Sequence, residues 1–122
     1  MLAAATPAPE GAKVFIVSPA DGATVSQEFK VKFGVAGVAL APAGDTTKNT
    51  GHHHLLIDVD KLPAAGAAIP ADANHMHFGK AQTEATIRLA PGKHTLQLEL
   101  GDFSHVPFDP PIVSEKITVN VK

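Results

Sequence analysis

Seven of the 122 residues are histidine and none is cysteine, so the side chains with most chemistry to offer are imidazoles. They stand at His52, His53, His54, His75, His77, His94 and His105. A neutral imidazole presents a lone pair that suits copper, zinc, nickel and iron, and it titrates close to neutrality. The absence of cysteine removes disulfides, thiolate nucleophiles and sulfur-bound zinc or iron–sulfur centres together. Residues i and i+2 of a strand project from one face about 6.5–7 Å apart, and both His52/His54 and His75/His77 have this spacing. Met76, between the second pair, offers a thioether that favours copper. Asp102 and Asp109 flank His105, where a carboxylate either coordinates an ion or accepts the free ring N–H of a ligand and fixes its tautomer.

The elements that must position these residues are strands. Lys13 to Val17 is a β-branched and aromatic run that stops at the turn signal Ser18-Pro19-Ala20-Asp21-Gly22. Phe29, Val31, Phe33 and Val35 alternate with Glu28, Lys30, Lys32 and Gly34, the period-2 pattern of a strand wet on one face. His52 to Val59 opens a third strand, Glu84 to Leu89 a fourth, Lys93 to Leu100 a fifth and Ile112 to Val121 the last. No segment of helical length has a 3.6-residue period, so the expected fold is an all-β, immunoglobulin-like β-sandwich of about seven strands. Its domain spans residues 13–122, after an Ala/Pro tether at residues 1–12.

In such a sandwich the B–C loop, the D–E region and the F–G loop share one end. That gathers His52, His53, His54, His75, His77 and His105 and leaves His94 at the other end, as a strand-start residue beside the core. If Leu55, Ile57 and Val59 point inward, His53 goes with them and His52 and His54 share the opposite face. Phasing on Leu56 would reverse this.

Other functions lack their residues. Ten basic groups, of which Arg88 is the one arginine, against twelve acidic ones do not make the basic stripe of a nucleic-acid binder. No apolar run approaches the ~18 residues of a membrane span. There is no Gly-x-Ser-x-Gly elbow, and Ser104 is only a sequence neighbour of His105. Residues 3–9, Ala-Ala-Ala-Thr-Pro-Ala-Pro, have the composition of a segment that follows a signal-peptidase site, so a periplasmic or secreted location is expected.

Several ordered blocks, Gly51 to Asp58, His75 to Glu84, Pro91 to Leu98 and Gly101-Asp102 followed by His105-Val106-Pro107, resemble the bacterial DUF4399 family, a domain of unknown function. The resemblance covers residues ~50 to 115 and implies an exported, single-domain bacterial protein without an established activity. In that family the position of Phe108 is often a histidine. Its replacement here removes one ligand candidate and shifts weight to His52, His54, His75 and His77.

The residues therefore predict binding of a transition-metal ion, copper first with zinc or nickel as alternatives, by histidines from three segments. His52, His54, His75, His77 and His105 are the ligand candidates, with His53, Met76 and Asp102 beside them. Affinity is expected to fall as pH drops through ~6.5, where free imidazoles take up protons. Two other classes compete. One is a structural or protein-interaction module with a polar histidine network and no metal; the other is an enzyme with an open coordination position.

Overall fold

The computed structural model describes residues 6–64 and 66–122, and no helix occurs among them. Six strands carry the architecture: β1 (Lys13–Ser18), β3 (Glu28–Ala36), β5 (Thr50–Ile57), β7 (Glu84–Arg88), β8 (Gly92–Gly101) and β9 (Ile117–Val121). Three short ones, β2 (Thr24–Val25), β4 (Ala39–Leu40) and β6 (His75–His77), attach at edges. One sheet has the order β1-β3-β7; the other runs β2-β9-β8-β5-β4, with β6 also paired to β5. Strands one, two and four of the long set thus face strands three, five and six, which is the partition of an immunoglobulin-like sandwich.

Alternation decides what lies between the sheets. Val14, Phe29, Val31, Phe33 and Ile87 meet Leu55, Ile57, Leu96, Leu98, Leu100 and Val119 in one core, each contributing about 1.5–3 kcal/mol of transfer free energy. Cross-strand partners share a face, so the register Leu55↔Leu98 and Ile57↔Leu96 fixes the inward phase of β5. His53 is inward and opposite Leu100; His52, His54 and Leu56 are outward, opposite Gly101, Glu99 and Gln97.

That outer face is covered as well. Leu56 and Ile69 are buried yet stand outside the inter-sheet core, and the Ile69 amide donates to the His105 carbonyl at 2.7 Å. The part of the connection around Ile69 therefore lies over the sheet.

Three departures from the pattern have local causes. The predicted last strand is interrupted: Ile112 and Ser114 bond the upper half of β8 through Leu100 N to Ile112 O and Ser114 N to Leu98 O, and β9 begins only at Ile117. Residues 36–50, which show no alternation in the sequence, supply β4, which pairs in parallel with the start of β5. Of the expected tether, residues 1–5 lie outside the described residues. Residues 6–8 are laid along the 102–109 segment by Asp109 N to Thr6 O at 2.9 Å, Ala8 N to Asp109 O at 2.8 Å and Thr6 Oγ1 to Asp102 at 2.7 Å.

Candidate metal site

The outer face of β5 presents His52 and His54, two residues apart on one side of the pleat. Register places His77 of β6 directly beside His54. The fourth ring, His105, arrives from the turn that follows β8. Asp102 builds that turn: its Oδ1 accepts from Ser104 N, Ser104 Oγ and Val106 N at 2.9, 2.9 and 3.1 Å, and its carbonyl accepts the His105 amide at 3.0 Å. His105 itself has φ 67°, a conformation in which histidine is enriched among non-glycine residues.

Two glycines give the rings their room. A Cβ at Gly101 would lie 2.8 Å from His54 Nε2, and one at Gly79 would overlap His77 Cε1. The four rings accordingly pack with centroids 4.5 to 5.8 Å apart. One nitrogen from each of His52, His54, His77 and His105 falls within 4.8 Å of all the others. Nitrogens bound to one tetrahedral ion at 2.0–2.1 Å would be about 3.4 Å apart; His52 Nε2 lies 3.0 Å from His54 Nε2 and 3.1 Å from His105 Nδ1, a few tenths of an ångström short of that spacing. The group could hold a metal ion.

A neutral imidazole nitrogen carries either a proton or a lone pair, so His52 Nε2 makes one well-aligned hydrogen bond and not two. A cation placed among the nitrogens satisfies all of them at once. Burial, then the neighbouring His105 and His77, hold His52 down to about 4. Burial and His52 hold His54 down to about 3. His77 is lowered for the same two kinds of reason, burial first and then His105. The buried pair is thus neutral far below the ordinary ~6.5 expected from sequence, and protons compete for those lone pairs only near pH 4. His77 is exposed and His105 half-buried, so the group opens to solvent on their side.

The remaining histidines and their neighbours go elsewhere. His53 is buried between the sheets, its ring 5.1 Å from that of Phe33, and neither of its nitrogens has a hydrogen-bond partner among the described residues. His75 shares the outer face with His77 but bonds Asp72 through Nδ1 at 2.8 Å. Met76 pairs with Leu55 and packs on the core, so its thioether is on the other face from the four rings. Asp102 supports the His105 turn, Asp109 is exposed, and Phe108 fills the core. His94 stands at the start of β8, away from the cluster, with both nitrogens on acceptors: Asp58 Oδ2 at 2.7 Å and the Ala90 carbonyl at 2.8 Å.

Sequence reasoning did not single out Glu99, Gly79 or Gly101. Glu99 is wholly buried, its two oxygens have no partner among the described residues, and burial pushes it up to about 7. Its signal was available: it is the one acid on β8 and stands between Leu98 and Leu100. The glycines were visible only as strand-end letters, since their role is to leave space for a ring from another strand.

No curated protein and no solved structure matches the chain. A family model does match, over residues 31–122, and carries the description "Domain of unknown function (DUF4399)". All four clustered histidines, together with Asp102, Gly79 and Gly101, lie within the matched region. The match takes in most of the domain and is longer than the sequence blocks alone suggested; the chain belongs to the DUF4399 family.

Proposed function

We propose that this protein binds one transition-metal ion, copper by preference, through His52, His54, His77 and His105, and that its role is to sequester, deliver or sense that ion in the bacterial envelope. The observation that carries the reading is the convergence of four imidazole nitrogens within 4.8 Å around a His52 nitrogen that hydrogen bonding alone leaves in conflict. Copper follows from the donor set. The ligands are all nitrogen, and Cu(II) stands highest for such sites in the Irving–Williams order. Zinc accepts the same four donors and is the closest competitor. The envelope location rests on the composition of residues 3–9, and cell fractionation tests it.

The observation against a metal-free histidine network is the conflict at His52 Nε2, which faces both His54 Nε2 and His105 Nδ1 and can bond only one of them well, whereas a network kept for its hydrogen bonds satisfies its members. The test is titration of tag-free protein, prepared without a nickel column, with Cu(II), Cu(I) and Zn(II) against a chelator. One ion per chain is expected. Alanine at His52 or His54 should weaken binding by more than about 100-fold, above the range for residues that only support a ligand. A His75→Ala/His94→Ala protein should bind as the parent does. Equal binding by the parent and a protein lacking all four clustered histidines would refute the proposal.

A further inference from the structure

A carboxylate buried with no partner destabilises a fold by a few kcal/mol, so its place calls for a reason. Glu99 is wholly buried on the outer face of β8, in register with His54 on β5. Directly opposed residues of antiparallel strands have Cβ atoms about 4.5–5.5 Å apart on the same face, a gap the glutamate side chain spans. His54 turns Nε2 toward His52, which leaves Nδ1 as its outer nitrogen. That nitrogen is likewise buried and unpartnered among the described residues. A histidine bound to a metal through Nε2 keeps its proton on Nδ1 and needs an acceptor there. The one unused acid on this face and the one ligand ring in register with it are thus complementary.

We propose that Glu99 is the hydrogen-bond acceptor for His54 Nδ1–H when the ion is bound, a positioning residue that fixes the tautomer and the ring orientation of this buried ligand. The inference rests on the metal reading above and adds to it a supporting group that touches no ion. It also accounts for the paired loss of partners: each group is retained for the loaded protein and not for the stability of the empty one.

The experiment compares the parent with Glu99→Gln and Glu99→Leu. Three quantities are read: melting of the empty protein, Zn(II) affinity by chelator competition, and the slowly exchanging imidazole N–H signal of the Zn(II)-loaded protein in proton NMR. Expected for Glu99→Leu are an affinity lower by about 10–100-fold, loss of the His54 N–H signal, and a melting temperature of the empty protein equal to or above the parent's. Glu99→Gln, which keeps an acceptor oxygen and the shape, should retain part of the affinity and the signal. Unchanged affinity in Glu99→Leu, with the parent binding normally, overturns the inference and leaves the metal reading standing. So does an affinity loss that comes with a matching loss of melting temperature and an intact His54 signal. A parent that binds no ion overturns both.

Discussion

A methyl group at Gly101 would stand 2.8 Å from His54 Nε2, closer than carbon and nitrogen can approach without something shifting. The same nitrogen already stands 3.0 Å from His52 Nε2, so any shift of the ring disturbs the cluster. Gly101→Ala is therefore expected to weaken metal binding by about 10–100-fold, comparable to loss of a supporting residue, while Gly22→Ala, also at positive φ with open space around it but bonded to β9 through Thr118, costs stability and leaves binding unchanged; chelator competition on both proteins decides it. At the opposite end of β8, His94 faces acceptors with both nitrogens, which requires the doubly protonated ring. Its pKa is raised, first by the hydrogen bond to Asp58. A raised histidine contributes stability that is complete below its unfolded value of ~6.5 and is lost as pH rises through the folded value. His94→Asn is expected to cost about 1–2 kcal/mol at pH 5.5 and less at pH 9, read by urea unfolding at each pH.

Among the elements, the turn after β8 is the one on which the site most depends. It holds a non-glycine residue at positive φ, and Asp102 is its fastener, accepting four hydrogen bonds from side chains or amides of Thr6, Ser104 and Val106. Asp102→Ala is expected to lower stability by about 2–4 kcal/mol and to weaken metal binding by releasing His105, with β5 and β8 still formed; circular dichroism and metal titration separate the two effects. The sequence reading had Asp102 as ligand or as acceptor for a ring N–H, and the structure gives its carboxylate to the turn. The i, i+2 pattern made His52 and His54 legible as a same-face pair, but the adjacent Leu55 and Leu56 left open which face that was, and only the register with β8 fixes it. The pair His75/His77 was equally legible as a same-face pair but not as a division of labour: register carries His77 to His54, while His75 has moved one step along the sheet to Leu56 and has Asp72 to itself.

For the whole molecule, the sandwich was readable from alternation and turn signals, and the segregation of His94 from the other histidines followed from chain direction. What alternation could not give was the covering of the outer sheet face, since the 58–74 connection has no period and is held by single contacts such as Ile69 to His105. Burial there has a pH signature. His52, His53 and His54 are held to about 4, about 4 and about 3, so between ~6.5 and those values the unfolded chain binds protons that the folded chain refuses. Stability falls as pH falls, by up to about 1.4 kcal/mol per unit for each ring. Glu99, raised to about 7, has the opposite effect between its unfolded value and 7 and offsets about one ring. The empty protein is expected to be roughly 3 kcal/mol less stable at pH 5 than at pH 7, by denaturant unfolding; a profile flat across that range would contradict the buried, neutral histidines.

The most direct measurement is X-ray absorption at the metal edge of protein loaded with one equivalent of Cu(II) or Zn(II). Four histidine ligands require four nitrogen scatterers at about 2.0 Å with the outer-shell pattern of imidazole rings, and that spectrum is expected at pH 7.5. A shell dominated by oxygen, or one with two imidazoles or fewer, would contradict it.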